Sequence, residues 1–350
     1  MSGRLIVLLT SIYPFDSGEE FIEGEIEYLA AGAEKIIVIP VHTPCPNELT
    51  RHVPENVEVR TICGHYGLAK KATTAASSIL RSPLSLLARS PKKYLIESRF
   101  LGSARARFEG VRNALKDVNF DEYESVVFYS YWLFKTAAVA VWMRDSINHP
   151  HARAVSRAHR ADLYAEHAWG GYLPARRFLV ESLDAIYPIS EDGRRTLIEE
   201  DSADPEKVEV HRLASKYVEK LERTRPDHTH IVSVSSILPV KRLDLAADAV
   251  AEAVARGVDL KWTHIGDSGA ESLQALKGRV EELGISDHVD LKGRLTNDQT
   301  MQFLRSPDIT AFMNTSSSEG VPVSIMEAIG NSLPVLCTNV GGSGELIRDG

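Results

Sequence analysis

Short, nearly unbroken apolar runs alternate along the chain with stretches in which apolar residues recur every three or four positions. The run RLIVLLT at 4–10 marks a strand buried on both faces of a parallel sheet. A loop at 11–18 with Pro14 and Gly18 comes next, and 20–31 carries Phe21, Ile22, Ile26 and Leu29 at helical spacing. A second apolar run at 36–40 completes a βαβ opening, the signature of a parallel α/β sheet. The pattern predicts further strands at 125–130, 152–156, 185–190 and 208–211, a helix over 132–145, and a helix-rich insertion at about 67–118. The stretch 220–230 is polar and contains Pro226, which suits a linker. Beyond it the alternation restarts, with strands expected at 230–235, 261–266, 288–291, 309–313 and 334–337 and helices at 243–256 and 322–329. Two successive α/β domains are therefore expected, 1–220 and 221–350. Such sheets place ligands at the carboxyl ends of their strands, and two of them facing one another would form a cleft where two substrates meet.

Composition narrows the class. Of 350 residues, 43% are hydrophobic and 25% charged, the balance of a soluble globular protein. No run approaches the roughly 20 apolar residues that span a bilayer. The first apolar run is too short and too early for a signal peptide and reads better as a strand. Cys45, Cys63 and Cys337 show no metal or redox spacing, which fits a reducing cytoplasm. The net charge of −8 argues against general nucleic-acid binding. Within this acidic chain, residues 70–116 hold a basic excess of about +9, interleaved with leucines and aromatics. Only Glu97 and Glu109 oppose it. Either it lies on an anionic membrane surface, or it is a solvated helical face.

The most informative segment runs from Asn314 to Ala328, NTSSSEGVPVSIMEA. An expected strand leads into a small polar loop, and Pro322 suits the first turn of the next helix, where a missing N–H costs nothing. The amides near Gly320 and Val321 would then form an anion site at that helix start. Gly320 would also let a ligand approach the backbone. Glu319 precedes the helix and Glu327 lies more than a turn inside it. Two carboxylates beside a phosphate-binding helix end suit a nucleotide sugar, although Glu327 alone reads as an exposed helix residue.

The whole string Ser-Glu-Gly-x-Pro-x-Ser-x-x-Glu-Ala resembles the donor-site signature of retaining glycosyltransferase family 4, and the Gly-rich stretch 339–347 resembles the segment next to that signature in the family. The resemblance implies the GT-B fold, two Rossmann-like domains with parallel sheets facing a central cleft. It implies that Glu319 touches the transferred sugar and Glu327 the ribose hydroxyls. Lys241 matches the family lysine for the diphosphate. Ser235 and Ser236 stand where that family usually has Gly-Arg, so Ser236 falls in the donor site. Arg242 either supplies a second positive charge or leaves the diphosphate more weakly held. The backbone near Arg294 is expected beside the base.

In the first half, Ser-Arg-Ala-His-Arg-Ala-Asp at 156–162 comes after an expected strand. His159 at a strand end can donate to a sugar hydroxyl or a developing charge. A lone histidine is more often structural, but Arg157, Arg160 and Asp162 around it favour a polar site. This string resembles the acceptor-domain histidine motif of bacterial exopolysaccharide and capsule members of the family, as do the stretches 13–23, 129–132 and 187–191. In the family the glycine of the first loop approaches the diphosphate and sugar, a role that would fall on Gly18 or the loop around it.

The resemblance covers about 4–349. Members usually continue further, so a member truncated at its C-terminus is expected. The implied reaction is metal-independent, retaining hexosyl transfer from a nucleotide-diphosphate sugar to a glycan or polyprenyl-linked acceptor in polysaccharide biosynthesis. His159 and Glu319 would be its catalytic residues. No cofactor, bound metal or nucleic-acid partner is expected, and no Asp-x-Asp occurs in the chain. The location would be cytoplasmic, with peripheral attachment to the inner face of the cell membrane as an extension. Ser235, Ser236 and the C-terminus motivate an alternative, a catalytically impaired nucleotide-sugar-binding partner. A sugar-nucleotide epimerase on the same fold is another. A dehydrogenase is disfavoured, since neither first strand runs into Gly-x-Gly-x-x-Gly.

Overall fold

The structure is a computed structural model that describes residues 3–15, 18–42, 48–62, 84–214, 221–223 and 228–347. Cys45, Cys63, Lys70, Lys71, Arg81, the start of the expected insertion, Pro226 and the last three residues lie outside the described residues. The chain divides into two units, Met1–Arg212 and Leu213–Gly350. The division thus falls between Arg212 and Leu213, ahead of the expected 220/221 boundary.

Unit 1 is built on β1 (Arg4–Thr10), β2 (Lys35–Pro40), β3 (Val57–Val59), β4 (Ser125–Ser130), β5 (Ala152–Ala158) and β6 (Ala185–Pro188), in the order β3-β2-β1-β4-β5-β6. Every pairing is parallel, with Leu5 beside Lys35 on one side and Arg4 beside Ser125 on the other. Successive β1 side chains point to opposite faces. Leu5, Val7 and Leu9 pack with the helices 91–114 and 135–146, while Ile6 and Leu8 pack with Ile22, Ile26 and Tyr131. Both faces are therefore apolar, which is why β1 reads as an unbroken run. Each such fully buried side chain contributes about 1.5–3 kcal/mol.

Several elements differ from the pattern-based reading. The expected helix at 20–31 is a 3-10 turn, Glu20–Ile22, and a short α-helix, Ile26–Ala31. Gly24 sits in the break, and Glu25 is drawn into buried polar bonds described below. The expected helix at 132–145 begins at Lys135, because Ser130 Oγ donates to the Trp132 carbonyl at 2.6 Å and the backbone folds back on itself there. The expected strand at 208–211 is reduced to one parallel bridge between Ile186 and Val208. Of the expected insertion, the described part is two helices, Leu84–Arg89 and Pro91–Ala114.

Unit 2 holds β7 (Thr229–Val234), β8 (Leu260–Ile265), β9 (Val289–Gly293), β10 (Ala311–Asn314) and β11 (Val335–Cys337), in the order β11-β10-β7-β8-β9, all parallel. Its helices include Leu243–Ala255, Ala270–Glu282, Asn297–Leu304 and Val323–Gly330. Trp262 and Leu260 face one layer of core, Val232, Phe312 and Ile325 the other. In each unit the strand order reverses once, between β1 and β4 and between β7 and β10. Doubly wound sheets bind ligands outside the carboxyl ends of the strands at such reversals.

Candidate functional site

In unit 2, the loops leaving β7 and β10 meet at the reversal. Lys241 Nζ donates to Glu319 Oε1 at 2.6 Å, joining the two loops. Glu319 is buried and takes a longer 3.4 Å contact from Asn314 Nδ2. The loops are also pinned through their backbones. Ser317 N–H donates to the Val240 carbonyl at 2.8 Å, and Thr315 Oγ1 reaches the carbonyls of Lys241 and Arg242. Arg242 adopts φ 47° and donates from Nε to the Thr315 carbonyl at 2.8 Å. Part of its guanidinium thus holds the loop.

The Glu319–Gly320 backbone is covered by the Gly-rich loop at 341–342. Gly342 N–H donates to the Gly320 carbonyl at 2.7 Å. A Cβ on Gly341 would stand 1.9 Å from the Glu319 carbonyl oxygen, so only glycine permits this approach. Gly266 does the same at β8, where a Cβ would stand 1.9 Å from the Ser235 carbonyl oxygen. Pro322 caps the helix Val323–Gly330 from outside instead of filling its first turn. Among the described residues, the amides of Gly320 and Val321 donate to no backbone acceptor. They sit at the positive end of that helix. Glu327 is half-buried, not exposed, and accepts from Asn297 Nδ2 at 2.9 Å. Ser236 is exposed beyond β7, its carbonyl accepting from Leu238 N–H at 3.0 Å. Arg294 is exposed just past β9. The structure therefore joins Lys241, Arg242 and Glu319 through the loops at the carboxyl ends of β7 and β10, with Gly320, Val321 and Pro322 leading from there into the helix Val323–Gly330 that carries Glu327. Among the described residues, Ser236 follows β7 with no hydrogen bond to this group, and Arg294 follows the edge strand β9, which β8 separates from β7.

In unit 1, His159 comes directly after β5 and is buried within an aromatic box. Trp132, Tyr131 and Phe21 stand 4.6, 5.3 and 5.5 Å from its ring centroid. Neither ring nitrogen has a hydrogen-bond partner among the described residues. Burial, and then the charge of Arg157, lower its pKa to about 3, so the imidazole is neutral at physiological pH. Asp162 fixes this corner, accepting from the backbone N–H groups of His159 and Leu133 at 2.6 Å each. Burial raises its pKa to about 7 against those bonds. Arg157 is buried too and pairs with Glu25 at 2.5 Å, while Tyr131 Oη donates to the other Glu25 oxygen at 2.8 Å.

Glu19 was not singled out by the sequence. It is buried at φ 58°. Its carboxylate accepts from the backbone N–H groups of Ser11, Ile12 and Tyr13 at 2.8, 2.7 and 2.7 Å, and from Trp132 Nε1 at 2.5 Å. It thus joins the loops after β1 and β4 at the unit 1 reversal. Gly18, at φ 115°, spends its amide on Glu20 Oε1 at 2.7 Å. The amide of Gly18, which the resemblance expects close to the diphosphate and sugar, and those of Ser11, Ile12 and Tyr13 are thus satisfied by the chain's own carboxylates. The available signal was Gly-Glu-Glu soon after an apolar strand. Among the described residues, no three His, Cys, Asp or Glu side chains are grouped to hold a metal ion.

Comparison with known proteins bears on both units. Residues 219–350 match the family described as glycosyl transferases group 1. The putative colanic acid biosynthesis glycosyltransferase WcaL of Salmonella typhimurium is 23% identical over 55% of this chain and 48% of its own length. The chain thus spans about half the length of the curated relatives it matches. The apo lipopolysaccharide outer core galactosyltransferase WaaB superposes with a TM-score of 0.66 at 14% identity, over 99% of this chain and 84% of its own. HepE of Anabaena in complex with UDP gives 0.63 at 16% identity, over 99% and 83%. The fold is GT-B.

Proposed function

We propose that this chain, whose residues 219–350 match the glycosyl transferases group 1, transfers a hexosyl group from a nucleotide-diphosphate sugar to a glycan or lipid-linked acceptor in polysaccharide assembly. One observation carries the reading. Within the matched region, Lys241 and Glu319 bridge the loops at the reversal of the sheet, beside the start of the helix Val323–Gly330. The donor's diphosphate takes Lys241 and the helix-end amides, which stabilise charge as the sugar–phosphate bond breaks. Glu319, released from Lys241, binds the sugar hydroxyls. Glu327 takes the ribose, and the backbone near Arg294 the base. In unit 1, neutral His159 orients the sugar or supports its developing charge.

Transfer in this reading is retaining and needs no metal, the departing phosphate taking the acceptor's proton. The WcaL name supports an exopolysaccharide setting, and the HepE complex supports UDP as the nucleotide to test first. Attachment to an anionic membrane is supported by exposed Leu87 and Leu95 on the basic helices 84–89 and 91–114. Among the described residues, no helix is long and apolar enough to cross a membrane.

Thermal shift with UDP, GDP and ADP and their common sugars tests the donor site. A ligand that binds only the folded state raises its stability. A rise with one nucleoside diphosphate, lost in Glu327→Ala, is expected. No rise with any of them would overturn the reading. The product's anomeric configuration, read by NMR, tests retention.

A further inference from the structure

Resting on the transferase reading, we propose that a second pocket, wholly within unit 1, binds an anionic saccharide and so restricts the acceptor to phosphate- or carboxylate-bearing glycans. The pocket has a volume of about 410 Å³, within the range of about 300–1,000 Å³ for small-molecule sites. It opens between the helix Pro91–Ala114, the first turn of the helix Lys135–Ser146 and the segment 161–174. Arg99 and Lys135 line it, and no acidic residue does. Among the described residues, neither of these two cations is paired with a carboxylate. Glu97, nearby on the same helix, does not line the pocket and is already occupied: it accepts from Oη of the lining residue Tyr172 at 3.0 Å and from the Ala175 amide at 2.9 Å.

The electrostatics are one-sided. Burial, then Arg107, then Arg99, lower the pKa of Lys135, so each arginine acts on its charge, Arg99 from within the pocket lining and Arg107 from outside it. Like charges gathered in a partly desolvated pocket raise the free energy of the site, and an anion relieves it. The positive end of the 12-residue helix starting at Lys135 adds to the same field. Phe100, Phe134 and Trp169 line the rest, and Trp169 is 69% exposed. Flat apolar rings beside cations suit the C–H face of a sugar that carries a negative group. The pocket lies past the carboxyl ends of β4 and β5, where such a sheet presents its ligands, and it shares no residue with the donor site of unit 2.

Titration calorimetry on the full chain with cellobiose, cellobiouronic acid, cellobiose 1-phosphate and UDP tests this. Both charged disaccharides are expected to bind at least tenfold more tightly than cellobiose. Arg99→Ala and Lys135→Gln should each weaken them about fivefold or more, with UDP affinity unchanged. Arg99 is exposed, so its removal leaves the fold intact, as a melting curve will verify. Equal affinity for cellobiose and its charged forms overturns the proposal, as does charged-sugar binding that neither substitution alters. Sedimentation with phosphatidylglycerol vesicles separates headgroup binding: variants that lose vesicle binding alone also overturn it. If UDP binds and the charged sugars do not, this pocket falls and the transferase reading stands. If the charged sugars bind and no nucleotide does, the transferase reading falls and the pocket stands.

Discussion

The two sheets carry the same device at their points of reversal, a buried glutamate that joins the loops leaving two adjacent strands, but the partners differ. Glu19 accepts from three backbone amides and one indole N–H, all fixed by the fold. Glu319 is met chiefly by Lys241, a long side chain that is itself partly exposed, and by a 3.4 Å contact from Asn314. Four rigid donors leave a carboxylate with no capacity for a ligand. A flexible ammonium can exchange a carboxylate for a phosphate and free the glutamate in the same movement. The first arrangement locks a loop, and the second holds a charge pair ready for a polar substrate. The same residue type at equivalent places in two sheets therefore takes different roles, set by what donates to it.

Removing Glu19 is the largest expected effect. Glu19→Ala leaves three backbone amides and the Trp132 indole without their acceptor, at about 1–3 kcal/mol for each buried group left unsatisfied. That is comparable to the whole stability of a domain, about 5–15 kcal/mol. The variant should melt far below wild type or fail to accumulate, and Glu19→Gln should fall between. A melting curve close to wild type would erase the contrast between the glutamates. Glu319→Ala should leave a protein that still folds, with turnover lowered about hundredfold or more, the scale of losing one group that stabilises a transition state. Lys241→Ala comes next, weakening nucleoside diphosphate binding about tenfold, the scale of one charge-assisted bond at a partly exposed site. If the two side chains act as a pair, the double variant should cost less than the two single changes together.

Legibility obeyed the same contrast. The strands were readable because burial on both faces turns them into unbroken apolar runs, as at Arg4–Thr10 and Ala185–Pro188. Helices whose buried face is narrow were harder. Asn297–Leu304 escaped the pattern, although Thr296 and Gln299 form a capping box that marks its start. The 20–31 region misled because Phe21, Ile22, Ile26 and Leu29 are spaced for a helix, while Glu25 is pulled inward by Arg157 and Tyr131, which are distant in the chain. Glu319, Gly320, Val321, Pro322 and Glu327 could be singled out because they lie in one contiguous string whose spacing is itself informative, whereas Ser236, Lys241, Arg242 and Arg294 were reached only through the family resemblance. Glu19 was not legible, since its meaning depends on amides that any residue could supply and on Trp132, 113 positions away. The pocket at Arg99 and Lys135 was equally hidden: a basic stretch states charge, not which cations lack counter-ions.

The smallest effect separates the two roles that a buried polar group can have at the unit 1 edge. His159 has its pKa lowered from 6.5 to about 3 by burial and by Arg157. Below pH 6.5 the unfolded chain therefore takes up a proton that the native imidazole refuses, and stability falls as pH drops through the window from 6.5 to about 3. Between pH 7 and about 5.5 this group alone should cost about 1 kcal/mol. Asp162, raised to about 7, acts in the opposite sense: it favours the native state at low pH and loses that contribution as pH rises toward 7. Its shift comes first from burial and not from the imidazole, so His159→Phe should leave it in place. The aromatic box of Phe21, Tyr131 and Trp132 should accept the phenyl ring. Denaturant unfolding at pH 7 and pH 5.5 should show the variant losing about 1 kcal/mol less than wild type on acidification. Turnover at pH 7 should fall, because the ring nitrogens are gone. Equal acid sensitivity in both proteins would mean that the native imidazole already takes a proton near pH 6, and His159 could not then be the neutral partner of a developing charge. Unchanged turnover in the variant would place His159 with Glu19, as a group whose work is finished once the chain has folded.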